Sequence, residues 1–518
     1  MSDRSIHLGD VIEVLADAVG ATTALITEEQ ELTYGQLDER ATRLANHLRT
    51  SGVGPGEHVA IHAMNCVEWV EAFYGCFKLR AVPININYRY VARELAHLYG
   101  DCDAVAAIVG PEFADAVPPL RHRLVIGDDY EAAILEASPA RDFPTRSPDD
   151  HYIVYTGGTT GLPKGVVWRQ EDIVLGAMNA MRYGRPLGRV EDLGAEAASA
   201  PGQLRLVGLG PMMHGGSQWV MGNTHVAGGA FVLYTGRRFD AHEVLGLAAR
   251  SGATMISTIG DAMARPIAEA LLGQDRPDLD LSNLLAIGNG GAPLSNGVRA
   301  QLRAALPDLV IVDSYGASET GSTGSRPDAG EAFAAPRFHT GPDVAVFDHD
   351  FRRCGPGEVG MLARRGRIPL GYHKDPQKTA ETFPVVDGTR WVLPGDYARL
   401  EDDGTVSVLG RGSVSINSGG EKIHPEEVEG VLVSHDAVLD AAVVGTPSDR
   451  WGQQDTALVQ RRTASDITAE DLREHCRSSI ADFKVPKDVV FVDAIPRTPV
   501  GKIDYKAAND EALRRLDP

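Results

Sequence analysis

Between an apolar run and Val166-Val167-Trp168 the chain reads Tyr155-Thr156-Gly157-Gly158-Thr159-Thr160-Gly161-Leu162-Pro163-Lys164-Gly165. Four glycines let backbone N–H groups approach an anion closely, three threonine hydroxyls add donors, and Lys164 adds a point charge. That density of donors suits a triphosphate. A flexible Gly/Thr linker is the plain alternative, but linkers rarely finish in Pro-Lys-Gly between two apolar strands. The stretch is not the common P-loop, which requires Gly-Lys-Ser/Thr; here Gly165 follows the lysine, so no helix N-terminus is implied.

The rest of the chain sets limits on the protein around this loop. Its 518 residues predict about three domain-sized units and are enough to bury a large core without disulfides. Hydrophobic and charged fractions of 43% and 23% exclude extensive disorder and collagen-like repeats. With 50 Lys+Arg against 71 Asp+Glu the net charge is −21, which argues against a nucleic-acid or anionic-membrane binder but not against a small anion held by local donors. Five cysteines, at 66, 76, 102, 354 and 476, show no C-x-x-C spacing; they read as free thiols, with zinc disfavoured. The first twenty residues lack a signal-peptide apolar stretch, and no run approaches the roughly 18 apolar residues of a membrane span. The expectation is a soluble, cytoplasmic protein.

Strand-like and helix-like segments alternate, predicting an α/β architecture with largely buried sheets. His58–His62, Leu284–Ile287 and Leu309–Val312 read as strands, and Trp69, Val70, Phe73, Tyr74 and Phe77 share one face of a helix as core packing. Residues 185–205, rich in Gly, Ala, Pro and charge, read as a surface insertion or lid. From about 341 shorter β segments begin: Val344–Phe347 and Val359–Leu362 flank Gly355-Pro356-Gly357, and Asp403-Gly404 marks a hairpin before Thr405–Leu409. Near 410 a new α+β unit starts. Pro425 opens a helix with Glu426, Glu427 and Glu429 in its first turn, Val438–Val444, Ala457–Gln460 and Val489–Val492 are strand-like, and Asp466–Ile480 is helical.

The Thr156–Gly165 stretch resembles the phosphate-binding loop of the adenylate-forming superfamily, which comprises acyl-CoA synthetases, peptide-synthetase adenylation domains and firefly-type luciferases. The resemblance covers nearly the whole chain, and further motifs follow in the family's order. Tyr315-Gly316-Ala317-Ser318-Glu319-Thr320 follows a strand, Asp313 and Ser314; the resemblance implies that the tyrosine stacks on adenine, the threonine contacts phosphate, and Glu319, with Thr156, serves Mg²⁺. Asn289-Gly290-Gly291-Ala292-Pro293 resembles the loop on the other side of the base. Asp396 and Arg411 match ribose contacts, although Pro394 stands where Thr or Ser is usual. Val414 takes a hinge position commonly held by Asp or Lys, and Ser418-Gly419-Gly420 matches the loop that lines the CoA channel. Pro496-Arg497-Thr498-Pro499-Val500-Gly501-Lys502 matches the terminal lysine motif.

The resemblance implies an α/β fold: a large N-terminal adenylation domain, residues 1–410, of two α/β subdomains plus a β-rich one, and a small mobile α+β domain, residues 411–518. It implies ATP, Mg²⁺ and CoA, acyl-adenylate formation stabilised by Lys502, Glu319 and Thr156, then a domain swing and transfer to a thiol. The acyl pocket is expected at His214, Gly215, Ser217, Gly260, Asp261, Gly288, Asn289 and Gly290. Gly215 stands where amino-acid-activating relatives place an Asp, so an α-amino acid is disfavoured. The glycines suggest a wide pocket, and Gly410–Lys422 and Thr258–Pro266 are most similar to actinobacterial fatty-acid and steroid-side-chain CoA ligases. Three alternatives stay open: an amide synthetase, a carrier-protein loader and an inactive nucleotide-binding protein. So does a homodimer.

Overall fold

The structure is a computed structural model and describes residues 6–90, 92–158, 161–179, 182, 187–273, 279–292, 294–327, 336–411, 414, 416–418, 421–448, 452–462, 465–480, 482–498 and 503–516. Its backbone is one fifteen-stranded sheet that changes character along its width. At one side lie parallel strands: Thr23–Ile26, Ala230–Leu233, Arg205–Gly208, Met255–Thr258, Ala286–Gly290 and Val310–Ala317. Past Val310–Ala317 the pairing turns antiparallel, through Gly321–Pro327, Arg337–Thr340 and Val406–Arg411 into the β-rich region that ends at Val385–Val386. A separate four-stranded parallel sheet contains His58–His62, and a three-stranded sheet carries the Gly/Thr loop. The expected α/β class with a β-rich part is what is found.

The sheets are parallel where apolar runs are continuous and covered on both faces. Helix Val67–Lys78 shows how completely: Trp69, Val70, Phe73, Tyr74 and Phe77 are each at most 1% exposed. The same helix buries a cation. Lys78 Nζ lies 2.8 Å from Glu13 and 2.5 Å from Asp38, and Arg146 adds contacts of 2.7 Å to Glu13 and 2.6 Å to Asp10. Burial alone would push the Glu13 carboxyl up; Lys78 and Arg146 outweigh it and hold it down to about 2.

The last strand of the large sheet ends at Arg411, and Ile416–Ser418 already belongs to a five-stranded sheet formed with Glu421–Ile423, Gly452–Arg461, Val438–Ser448 and Asp488–Val492. This small sheet packs against helices Pro425–Val433, Ala469–Arg477 and Tyr505–Leu516.

Several sequence expectations need correction. Residues 187–205 are no lid. Helix Val190–Ser199 buries Val190, Leu193 and Ala197, and its Gly194 lies so close to helix Leu8–Val19 that a Cβ there would meet Ala18 at 3.0 Å and Val14 at 3.1 Å. The small residues that looked like loop composition permit close helix packing. Glu429 is not a first-turn dipole partner: it is buried, accepts from Val443 N–H at 2.8 Å and Tyr505 Oη at 3.1 Å, and burial pushes its carboxyl up. The helix expected over 466–480 spans Ala469–Arg477, because Thr468 and Asp471 form a capping box that fixes its start. The strand expected at Leu284–Ile287 is Ala286–Gly290, and the one at Leu309–Val312 runs on to Ala317. Among the described residues no helix is long and apolar enough to cross a membrane.

Replacing Lys78 by Met leaves Glu13 with Arg146 alone and Asp38 with Arg141 alone; a loss of about 2–4 kcal/mol is expected in urea unfolding. In the wild type, the part of stability that Glu13 contributes is present above its ordinary value near 4.5 and is lost as pH falls from there toward 2. Unfolding midpoints measured between pH 6 and pH 2.5 check the sign, and Glu13→Gln flattens that slope.

Candidate functional site

Open parallel sheets place ligands at the carboxyl ends of their strands. Here three strand ends are level, with Thr258 opposite Asn289 and Asn289 opposite Asp313. Asn289, 4% exposed, ties them together. Its Oδ1 accepts from Gly260 N–H at 2.7 Å, while its Nδ2 donates to Ala292 C=O at 3.0 Å and to Asp313 Oδ1 at 3.1 Å. Asp313 also accepts from Arg299 Nη2 at 2.6 Å. The two loops expected around an adenine, 289–292 and 315–320, are thus joined through one amide; Pro293 lies outside the described residues.

Beyond Asp313 the strand carries exposed Ser314 and then Tyr315, with a register shift between Tyr315 and Gly316. Gly316 is required there, since a Cβ would come within 2.3 Å of Gly321 C=O. The turn that follows holds Ser318, half-buried Glu319 and buried Thr320. Thr320 is 1% exposed and its hydroxyl accepts from Ala317 N–H at 2.9 Å, so it closes the turn. Three segments pin the turn from outside. Trp168 Nε1 donates to Ser318 C=O at 3.0 Å. Tyr372 Oη donates to Glu319 Oε1 at 2.9 Å. Arg364, pulled down to about 10 by burial, donates from Nη1 to the carbonyls of Thr320 and, at 2.7 Å, of Ser322. None of Trp168, Tyr372 or Arg364 stood out in the sequence as a site residue. Arg364 sits in a strand that reads only as alternating β.

The Gly/Thr loop is the end of a hairpin, His151–Gly158 with Gly161–Arg169, in which Thr156 faces Lys164 and Gly158 faces Gly161. The expectation of no helix N-terminus holds; Thr159 and Thr160 lie outside the described residues. Asn85 anchors the hairpin base: its Oδ1 accepts from Tyr155 N–H at 2.8 Å and its Nδ2 donates to Tyr155 C=O at 2.9 Å. Lys164 Nζ contacts Asp375 at 2.7 Å and lies 5.7 Å from the Tyr372 ring centroid. Its hydrogen bond holds the Asp375 carboxyl below the usual carboxylate range.

Tyr315 Oη donates to Asp396 Oδ2 at 2.5 Å, which places the expected base-stacking and ribose residues in direct contact. Asp396 stands opposite Arg411 in the strand pair, so the two ribose candidates are cross-strand neighbours. Val414 is half-buried between the two domains' strands, and Ser418 is buried. Gly419, Gly420 and Lys502 lie outside the described residues. Glu319 and Thr156 are hard oxygen donors of the kind Mg²⁺ takes alongside nucleotide phosphates and water. Among the described residues no three or more His, Cys, Asp or Glu are grouped for a metal ion.

Of the residues expected at an acyl pocket, His214 precedes helix Gly215–Val226 as its N-cap residue. Gly288, Gly210 and Gly215 each give room to a neighbouring side chain. A Cβ on Gly288 would strike Met255 Cε at 2.5 Å, one on Gly210 would strike Ser217 Oγ at 2.3 Å, and one on Gly215 would meet Val154 at 3.1 Å. They admit neighbouring side chains. Only around Gly216, among the glycines near His214, is the space within 4 Å clear.

Residues 13–373 match the family model for AMP-binding enzymes, and residues 427–502 match that for the AMP-binding enzyme C-terminal domain. A 3-oxocholest-4-en-26-oate–CoA ligase of Rhodococcus rhodochrous is 43% identical, the match covering 99% of this chain and 97% of the relative. A medium/long-chain-fatty-acid–CoA/3-oxocholest-4-en-26-oate–CoA ligase of Mycobacterium marinum is 41% identical, with the same coverage of each chain. A crystal structure of an anthranilate CoA ligase with anthranoyl-AMP superposes with a TM-score of 0.83 at 24% identity, covering 98% of this chain and 97% of that one, a likeness of fold. The chain belongs to the AMP-binding enzyme family.

Tyr372→Phe removes one hydroxyl, the donor to Glu319. A fall of about tenfold in kcat/KM for ATP is expected, with an unfolding midpoint close to wild type. Initial rates at saturating acid, with ATP varied, check it.

Proposed function

We propose that this AMP-binding enzyme joins a carboxylic acid to CoA in two steps at one site, using ATP and releasing AMP and pyrophosphate. The observation that carries the reading is the linkage of phosphate hairpin and base-side turn: Trp168 and Tyr372, one in the hairpin and one in the strand paired to it, both hold the turn bearing Glu319.

In the first step a carboxylate oxygen of the acid bonds to the α-phosphorus of ATP, and the bond from that phosphorus to the bridging oxygen of pyrophosphate breaks. We assign Tyr315 to the adenine face, Asp396 and Arg411 to the ribose, and Thr156–Gly161 with Lys164 to the phosphates. Lys164 is held by Asp375, so phosphate binding exchanges one anionic partner for another. Glu319 and Thr156 are the oxygen donors we assign to Mg²⁺, which when bound neutralises phosphate charge. Lys502 is assigned to the charge that grows on the oxygens around the α-phosphorus. In the second step the CoA sulfur bonds to the acyl carbon, the carbon–oxygen bond to AMP breaks, and the thiol proton passes to solvent. Ser418–Gly420 are assigned to the thiol's path, with a boundary between the domains near 411.

For the acid we assign a medium- to long-chain or steroid-side-chain carboxylate. The support is the 41–43% identity to ligases named for those acids, together with Gly215 at the place where an ammonium-binding Asp would stand.

A panel of fatty and steroid-side-chain acids, read by pyrophosphate release with and without CoA, tests the whole reading. CoA-stimulated AMP release is expected. Stimulation by an amine, or by a carrier-protein thiol alone, would replace the acceptor; no release with any acid would remove the enzyme assignment. Lys502→Ala is expected to lower adenylate formation by about 100-fold or more and to leave thioester formation from supplied adenylate within about threefold. Gly420→Leu is expected to do the reverse.

A further inference from the structure

The acyl-side helix Asp261–Leu272 carries an arginine that reaches the small domain. Arg265 Nη2 donates to Asp261 Oδ2 at 2.5 Å, one turn back on its own helix, and to Leu439 C=O at 3.1 Å, in the small domain's strand Val438–Ser448. Asp261 is itself fixed, accepting from Ser295 N–H at 2.7 Å and from Ser295 Oγ at 2.6 Å. Its neighbour Gly260 is the donor to Asn289. The arginine is thus continuous with the wall that joins acyl and adenine loops.

On the other side of the contact, the residue after Leu439 is Asp440, which accepts from Arg497 Nη2 at 2.6 Å and Nε at 3.2 Å. Arg497 forms an isolated antiparallel bridge with Ile503. That bridge pairs a residue early in the 496–502 motif with the residue that follows Lys502. The strand end gripped by Arg265 is therefore the one that holds the base of the lysine segment.

The charges at this joint make the arginine consequential. Burial pushes the Asp440 carboxyl up, Arg497 opposes the rise, and Asp261, across the joint, adds to it by repulsion. Two carboxylates face each other over the domain boundary, with Arg265 bonded to one and to the backbone beside the other. Arg265 Nη1 is buried and has no hydrogen-bond partner among the described residues. Across the boundary the guanidinium makes one hydrogen bond to one backbone carbonyl, with no carboxylate partner on the small domain's side, so little has to be broken for the domain to turn.

We propose that Arg265 is a positioning residue: a releasable latch that holds the small domain in the adenylate-forming orientation by tying Leu439 to the acyl-pocket wall at Asp261. The latch rests on the two-step reading above. It closes while the acid is being activated and opens when the small domain turns to admit the thiol. Arg265 does not touch the reacting atoms, so its effect falls on one half-reaction and spares the other.

The test uses the full chain with wild type, Arg265→Ala, Arg265→Gln and Arg265→Lys, and an acid that the wild type accepts. Two rates are measured separately: ATP–pyrophosphate exchange, and AMP release from chemically made acyl-adenylate plus CoA. Arg265→Ala is expected to slow exchange by about tenfold or more and to leave AMP release within about twofold of wild type. Arg265→Lys, which keeps a cation beside Asp261, recovers most of the exchange. Equal loss in both half-reactions, or no loss in either, overturns the latch. If the alanine variant does not fold, Arg265→Gln decides: it keeps a donor for the Leu439 carbonyl and loses the charge, and a selective loss of exchange sustains the proposal while a uniform loss removes it. Absence of exchange in the wild type with every acid would overturn the two-step reading, and with it the latch; a normal wild type with an unaffected Arg265→Ala would overturn the latch alone.

Discussion

A single buried amide holds the candidate site in register. Asn289 joins three strand ends whose side chains would otherwise be independent: it accepts from the turn before the acyl-side helix, and donates to its own loop and to the carboxylate preceding the base-side strand segment. An amide suits this place because it offers donors and acceptor in one plane, where a carboxylate would repel Asp313 and an aliphatic side chain would leave the Gly260 N–H unpaired. Fixing both loops to one group sets them relative to each other before any ligand arrives.

The turn carrying Glu319 is built on the same principle with more anchors. An indole, a phenol and a guanidinium reach it from three segments distant in the chain. The guanidinium is the costly member, a cation with little water, compensated by backbone carbonyls in place of a carboxylate. That choice leaves Glu319 without a competing positive side chain from Arg364, so the carboxylate stays available to a metal or phosphate-linked group. Supporting shells of this kind give a loop the precision of a rigid element.

Much of this was legible in the sequence where one residue type has few uses. The Gly/Thr stretch reads as a loop between two strands, alternating apolar segments as an α/β sheet, and Trp69 to Phe77 as a core helix, and the structure has all three. Composition misled where one residue has two uses. The Gly- and Ala-rich stretch 185–205 reads as a surface insertion or lid, yet its described part packs a helix closely through Gly194, and Gly288, counted toward a wide pocket, gives clearance to Met255. Glu429 looked like a dipole partner because its spacing from Pro425 ignores which face is buried. Asn289 was visible as part of a motif. Its role as a tie, like those of Arg364 and Tyr372, depends on contacts between segments tens to hundreds of residues apart, and no local pattern encodes them.

The clearance at Gly288 bears on how an enzyme of this shape diversifies. Because the methyl end of Met255 occupies the room that the glycine leaves, the volume beside Gly288 is set by an unbranched, pliable side chain on a neighbouring strand, not by the backbone. On the two-step reading proposed above, a change of bulk at that one codon would alter the room offered to the acid and leave the groups assigned to the nucleotide untouched.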